Sequence, residues 1–178
     1  AKKRAKKLKL KNVNFLLKDY SNTRFPSNYF DKIFTLETLV HSPNLRETLK
    51  EFYRVLKPGG RLVLFEYSRS SPDEFNKREA KMLQIINDGS SMTSLKTLYH
   101  DAMVRELKKE KYKIISEEDI TSNVLPSMKR LYVYAKLPYK LINFFSLHRY
   151  FVNTTAAIEF YNMAKSRLIK YRIFVVQK

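Results

Sequence analysis

Apolar runs alternate along the chain with segments in which apolar residues recur every three or four positions. Short apolar runs rich in β-branched and aromatic residues are typical of strands, and the periodic segments are typical of amphipathic helices. We predict strands at residues 13–17, 30–36, 62–65, 112–115 and 171–176. We predict helices at residues 1–10, 45–56, 74–87 and 95–109. This order favours an α/β fold.

Residues 30–65 give the clearest topological signal. An apolar run over 30–36 is followed by a helical pattern that must end at Lys57-Pro58-Gly59-Gly60, because proline and paired glycines break helices. Another apolar run, 62–65, follows at once. A strand, a helix, a tight turn and a strand make a parallel pair with a crossover helix. We expect the strand at 30–36 to be buried on both faces.

An aromatic stretch precedes the last predicted strand. Between Tyr132 and Tyr161, nine aromatic rings lie among basic residues. These rings could enclose a flat hydrophobic acceptor, or they could form ordinary core beneath a helical cap. We therefore divide the chain into a core at 1–124, a helical aromatic-rich cap at 125–165 and a closing strand of the core at 166–178.

Composition narrows the choice of partners. The chain has 178 residues, of which 44% are hydrophobic, and this is enough for one core. Its formal net charge of +18 indicates attraction to phosphate-rich surfaces. No nucleic-acid-binding motif accompanies the charge, so we expect an anionic membrane surface rather than nucleic acid.

The sequence also bears on metal binding and on the location of the protein. The chain contains no cysteine, and its three histidines are far apart, so we expect no metal site. No secretory signal and no membrane-spanning run is present in the sequence as written. We expect an intracellular protein, either cytoplasmic or peripherally associated with the endoplasmic reticulum membrane, and a homo-oligomer is compatible with the sequence.

Two motifs carry a family resemblance. They are Leu36-Glu37-Thr38-Leu39-Val40-His41-Ser42-Pro43 and the segment Glu51–Leu62 with its Lys-Pro-Gly-Gly turn. In this order they resemble the second half of class I S-adenosylmethionine-dependent methyltransferases. The Glu and His-x-Pro after one strand, Phe-Glu-Tyr at 65–67 and the Asp88-Gly89 pair resemble the sterol 24-C-methyltransferases. The resemblance implies a Rossmann-like sheet, S-adenosyl-L-methionine as cofactor and methyl transfer to a small lipid-like acceptor, with sterol C-methylation as the leading reaction.

The resemblance also implies cofactor-binding residues, namely Asp19, Tyr20, Thr35 and Leu36. The family uses an acidic side chain at the position of Asp19 to accept from the adenine amino group, although an Asp there could equally cap a turn. The family's glycine-rich turn and its ribose-binding acidic residue lie upstream of the position of Ala1. We therefore expect the chain as written to bind the cofactor weakly. An incompletely recorded sequence, a fragment and a protein without catalysis are all open explanations.

The expected catalytic residues are Glu37, His41 and Glu66. They follow successive strands, and a carboxylate that orients a histidine makes a general base near neutral pH. The alternative is structural: His41 would cap the next helix and Glu66 would pair with an arginine. The expected substrate-binding residues are Tyr67, Asp88, Tyr132, Phe144 and Phe145.

Three rival functions remain at the level of sequence. An O- or N-methyltransferase of a small metabolite would use the His41 imidazole as a conventional base to take the acceptor's proton. A non-catalytic methyltransferase-like protein would lend its basic surface to another chain. RNA methylation is suggested by charge alone.

Overall fold

One mixed sheet of four strands forms the centre of the protein, which we describe from a computed structural model covering residues 1–178. The strands are β1 Phe30–Leu36, β2 Leu56–Arg69, β3 Lys113–Asp119 and β4 Ile169–Gln177. They lie in the order β1-β2-β4-β3. β1 and β2 are parallel, whereas β4 is antiparallel to both β2 and β3.

Six α-helices accompany the sheet. They are α1 Lys2–Lys7, α2 Leu45–Val55, α3 Lys77–Gly89, α4 Ala102–Lys109, α5 Thr121–Phe144 and α6 Val152–Lys165. Short 3-10 turns lie at Leu39–His41, Pro72–Glu74 and Ser94–Lys96. No helix combines the length and the hydropathy needed to cross a bilayer.

The parallel pair forms as its sequence predicts. The Asn44 side chain caps the start of α2 by accepting a hydrogen bond from the Glu47 backbone N–H at 3.2 Å. After α2, the Pro-Gly-Gly segment makes an irregularity in the pairing of β2 with β1. Gly59 has a φ of +77° there, a conformation that favours glycine. The crossover therefore returns β2 alongside β1, and their carboxyl ends lie side by side.

The main core lies against one face of the central strands. Along β2, alternate residues from Leu62 to Ser68 are buried, while the residues between them are mostly half-buried. Leu49 and Phe52 of α2 and Leu107 of α4 belong to the same apolar cluster as Leu62. The sheet is thus fixed from the helix side by ordinary burial of apolar side chains.

A hairpin of α5 and α6 covers another part of the sheet, and one buried carboxylate joins it to α3. Glu159 of α6 is 1% exposed. It accepts hydrogen bonds from the Arg78 guanidinium of α3 at 3.1 and 2.5 Å, and from the Tyr139 hydroxyl of α5. Three helices therefore meet at a single ion pair. The division of the chain into core and cap at residues 125 and 165 stays a prediction.

Two predictions about the first part of the sheet are wrong. Residues 13–17 form no strand, and Leu17 is fully exposed. β1 is not buried on both faces, since Phe34 and Leu36 are 78% and 61% exposed. Both errors have the same reason. A strand gains its ladder hydrogen bonds and the cover of its faces from neighbouring elements, and β1 is the edge strand of the described sheet.

Helix boundaries differ in two places. The helix predicted at 95–109 is shorter, because a 3-10 turn at Ser94–Lys96 precedes α4, which begins at Ala102. The helix predicted at 1–10 ends at Lys7. The strand predicted at 30–36 is present with the predicted ends. The helices predicted at 45–56 and 74–87 and the strands predicted at 62–65, 112–115 and 171–176 are present with shifted ends.

The ion pair of Glu159 yields the first testable prediction. Arg78→Ala leaves a buried carboxylate without its cation, so we expect the free energy of unfolding to fall by roughly 2–3 kcal/mol, less than for a fully buried pair because Arg78 is half exposed. Urea denaturation measures this change. Arg105→Ala, which removes an exposed pair with Asp101, is the control and should cost less than about 1 kcal/mol. Equal losses of unfolding free energy in the two variants would contradict a stabilising role for the Arg78–Glu159 ion pair.

Candidate active site at the carboxyl ends of β1 and β2

The carboxyl ends of β1 and β2 are where a binding site is expected in this topology. Leu36 at the end of β1 pairs with Phe65 of β2. Open sheets with parallel strands bind ligands in the crevice outside these ends. The loop that follows β1 and the residues Glu66 and Tyr67 of β2 therefore share one edge of the sheet.

Glu66 is the most completely buried polar group at this edge. Its side chain has no exposed surface. One carboxylate oxygen accepts the backbone N–H groups of Thr38 at 2.9 Å and Leu39 at 2.8 Å, and the other accepts that of Val40 at 3.3 Å. Burial raises the pKa of Glu66 to about 7, although the three hydrogen bonds act to lower it. Glu66 thus fixes the loop after β1.

Glu37 begins that loop in an unusual backbone conformation. Its φ is +52°, which is uncommon for a residue with a side chain. Its backbone N–H donates to the Phe65 carbonyl at 2.8 Å, which extends the pairing of β1 with β2 by one bond. The side chain is exposed. Strained residues of this kind cluster at functional sites, because surrounding structure must hold them in place.

Two tyrosines face each other across β2 and β4 beside Glu37. Tyr67 pairs with Tyr171, and their ring centroids lie 4.8 Å apart. Burial raises the pKa of both hydroxyls, and the nearby Glu37 carboxylate raises it further. Tyr171 was missed by the sequence analysis. Its signal is the register of the closing strand, which could not be known before the strands were paired.

An apolar cavity of about 340 Å³ is lined in part by Tyr67. It opens between α5, α6 and the end of β2, and Tyr67 packs edge-on against Phe160 at 5.5 Å within it. The volume is in the range of small-molecule sites. Its lining includes Tyr67, Met128, Leu131, Asn153, Ala156 and Phe160.

The structure does not join His41 to Glu66. The His41 side chain is exposed, and its Nδ1 lies 3.1 Å from the Ser91 carbonyl oxygen. Glu66 bonds to the backbone of the loop instead, and it makes no ion pair with an arginine. His41 does not cap α2, a role that Asn44 fills. A catalytic role for His41 stays a prediction.

The four residues expected to bind the cofactor are only partly gathered. Asp19 caps a turn by accepting hydrogen bonds from the Ser21 backbone and hydroxyl at 2.8 and 2.7 Å, which lower its pKa. The pKa of Tyr20 is raised by burial and by the charges of Asp19 and Glu66. Thr35 is buried with an unpartnered hydroxyl, whereas Leu36 is exposed.

Most of the residues expected to bind substrate lie away from the cavity. Of these, Tyr67 alone lines it. Asp88 pairs with Lys96 at 2.8 Å. Tyr132 packs against Tyr161 in a tilted arrangement with ring centroids 4.7 Å apart. Phe144 lies edge-on to Phe145 with ring centroids 4.9 Å apart, and both rings are exposed. The aromatic stretch therefore neither encloses the cavity as a whole nor forms uniform core.

Comparison with curated proteins identifies relatives of known chemistry. The chain is 33% identical over 135 residues to the S-adenosyl-L-methionine-dependent Diels-Alderase iccD of Talaromyces variabilis, covering 74% of this chain and 46% of that protein. It is 31% identical over 125 residues to the sterol 24-C-methyltransferase ERG6 of Saccharomyces cerevisiae, covering 69% of this chain and 32% of that enzyme. The chain spans less than half the length of these two relatives.

The fold also has known counterparts. The crystal structure of the [4+2]-cyclase SpnF superimposes with a TM-score of 0.70 at 20% identity, covering 100% of this chain and 60% of that one. A family described as a methyltransferase domain matches residues 1–130. This match spans most of the 178 residues. The chain therefore belongs to the class I S-adenosyl-L-methionine-dependent methyltransferase family and is similar in sequence to the sterol 24-C-methyltransferases.

Proposed function

We propose that the protein methylates a carbon atom of a lipid-like acceptor, with a sterol as the leading candidate. The observation that carries this proposal is the 340 Å³ apolar cavity, whose lining includes Tyr67. An apolar acceptor fits this lining, and Tyr67 is also the residue that links the cavity to Tyr171 and Glu37, since its ring lies against that of Tyr171 and the Glu37 charge acts on both hydroxyls. The sterol 24-C-methyltransferase among the relatives supports the choice of acceptor.

Residues at the end of β1 suit part of a site for S-adenosyl-L-methionine. The buried Thr35 hydroxyl has no hydrogen-bond partner within the protein. We propose that Thr35 and Leu36 hold the cofactor together with Asp19 and Tyr20, which leaves the Glu37 carboxylate free for the acceptor. The bound cofactor supplies an electrophilic methyl group.

A carbon acceptor needs more than a base. When the π electrons of an acceptor double bond form the new carbon–carbon bond to the methyl group, the methyl–sulfur bond would break with its electron pair staying on sulfur, and a carbocation would remain on the acceptor. Aromatic rings stabilise such a cation, and Tyr67 and Phe160 line the cavity. A carboxylate oxygen of Glu37 then accepts the proton that the carbocation loses, which restores a double bond.

Glu66 acts in this proposal as a positioning residue. Its carboxylate is occupied by three backbone N–H groups, so it reaches the reaction through the loop that it holds. That loop carries Glu37 at one end and His41 at the other. In the rival O- or N-methylation, His41 would serve as the base.

A second candidate function is a cycloaddition. The S-adenosyl-L-methionine-dependent Diels-Alderase is a relative at 33% identity, and an apolar cavity lined by rings also suits a folded polyene. In that case the cofactor would be retained rather than consumed.

We also propose peripheral contact with a membrane, since a sterol or another lipid-like acceptor is held there.

The first experiment decides between these reactions. The complete encoded polypeptide is incubated with methyl-labelled S-adenosyl-L-methionine and a sterol that has a side-chain double bond. We expect label in the sterol and stoichiometric S-adenosylhomocysteine. A polyene that cyclises while the cofactor stays intact would favour the cycloaddition. Folded protein that binds S-adenosylhomocysteine but transforms neither compound would sink both proposals.

A substitution tests the proton acceptor. Glu37→Gln keeps the length of the side chain and removes its basicity, so we expect kcat to fall about 10²-fold or more while S-adenosylhomocysteine binding changes little. Steady-state methyl transfer measures kcat. Glu118→Gln is the matched control: it makes the same substitution at an exposed glutamate on β3 and should leave kcat unchanged. An unaltered kcat in Glu37→Gln would remove Glu37 from the chemistry.

The pKa of Glu66 predicts a pH dependence of stability. Its folded value of about 7 lies above its ordinary value of 4.5, so folding takes up a proton between these pH values and stability falls as pH rises through them. Gln at this position keeps an acceptor for the Thr38 and Leu39 N–H groups and cannot ionise. We expect wild type to lose on the order of 2–3 kcal/mol relative to Glu66→Gln between pH 4.5 and 8.

Urea denaturation of both proteins at several pH values measures this difference. Subtracting the two curves cancels the titration of all other groups. A difference that stays constant with pH would show that Glu66 titrates normally in the folded state.

A further inference from the structure

The exposed side of α5 is unusually apolar. At 100° per residue, Val133, Tyr134, Leu137, Leu141 and Phe144 project from one side of the helix. All five are exposed, with Leu137 at 76% and Phe144 at 79%. Tyr150 and Phe151, in the connection to α6, are also exposed. We call these seven side chains the α5 face.

Packing within residues 1–178 does not account for the α5 face. The opposite side of the helix already supplies the intramolecular contacts, because Ala135 and Ile142 are buried and Tyr139 is half-buried. An amphipathic helix needs one apolar side for its core, and here it has two. Contiguous exposed apolar surface of this extent marks an interaction site.

The charges beside the α5 face all have one sign. Lys129, Lys136 and Lys140 form a row along its flank, and Arg130 and Arg149 lie nearby in sequence. No aspartate or glutamate occurs between residues 120 and 158. Apolar side chains next to an uninterrupted basic row match an interface with apolar material under a layer of negative charge.

We propose that the α5 face docks on an anionic lipid bilayer. Its leucines and rings enter the boundary between headgroups and acyl chains, and the lysine row contacts lipid phosphates. A second copy of this chain is a poorer occupant, because it would bring two basic rows together. A single-stranded nucleic acid stacks on rings, and Val133, Leu137 and Leu141 offer none.

The docked orientation bears on the acceptor, and this part rests on the proposed function. Leu131 is 60% exposed on α5 and also lines the apolar cavity. The cavity therefore opens next to the α5 face. A lipid-like acceptor can pass from the bilayer into the cavity without crossing water, which avoids the cost of exposing its apolar surface.

Vesicle sedimentation tests the proposal on the complete polypeptide. We expect binding to vesicles of phosphatidylcholine mixed with phosphatidylserine, weaker binding to phosphatidylcholine alone, and release by salt. Leu137→Glu with Phe144→Glu should lower the partition coefficient roughly tenfold or more. Changing Lys129, Lys136 and Lys140 to Gln should lower it about a hundredfold, at about fivefold per lysine.

Matched variants elsewhere serve as controls. Leu16→Glu with Leu17→Glu changes two exposed leucines outside α5, and a Gln triple at Lys77, Lys108 and Lys113 removes the same charge from exposed positions. Both controls should bind vesicles as wild type does. Equal binding by the Leu137/Phe144 variant, or no wild-type binding to mixed vesicles, overturns the proposal. A wild-type dimer that this variant dissociates, without vesicle binding, assigns the face to self-association instead.

A second variant of the α5 face separates this proposal from the proposed function. With acceptor in detergent micelles, Leu137→Glu with Leu141→Glu, which changes two exposed leucines, should methylate at the wild-type rate, whereas with acceptor in vesicles it should be slower. Vesicle binding without methyl transfer in wild type would leave the docking surface standing and refute the enzymatic proposal alone.

Discussion

The candidate site depends on one buried carboxylate. Glu66 stands at the end of a central strand and satisfies three successive backbone N–H groups of the neighbouring loop. Those donors have no helical partners, because they begin a short 3-10 turn. Through them the rigid sheet sets the path of the loop, and the loop sets Glu37. Chemistry at this edge therefore takes its geometry from a residue that never needs to touch an acceptor.

A second buried carboxylate, Glu159, plays a similar part among the helices. Glu159 binds Arg78 and Tyr139, so α3, α5 and α6 keep a fixed relation while the cavity between α6 and the sheet stays open. The polar contacts that hold these helices in place are not part of the cavity lining, so the lining can remain apolar. This arrangement suits an acceptor that is recognised by shape more than by hydrogen bonds.

Sequence patterns correctly predicted those helices and strands that are determined by residues close together in the chain. The apolar period of α2 and its Pro-Gly-Gly stop predict that helix, and the apolar run of β2 can be recognised without knowledge of its partner strands. Residues 13–17 carry the same strand composition but form none, because pairing is a property of neighbours. Tyr171 escaped notice for a related reason, since only strand register places it opposite Tyr67. Family resemblance indicated Glu37 and Glu66, yet it could not show that Glu66 holds the backbone of the loop that follows Glu37.

The order of strands in the sheet also constrains how the protein is made. The central strand β2 pairs along its length with β4, the last strand of the chain. Loop closure over so long a separation is slow, and it cannot begin on the ribosome until the residues of β4 have emerged. During synthesis β2 has only β1 beside it, so its other edge stays open to pairing with foreign strands. Protection of that edge in the nascent chain then becomes a condition for efficient folding in the cell.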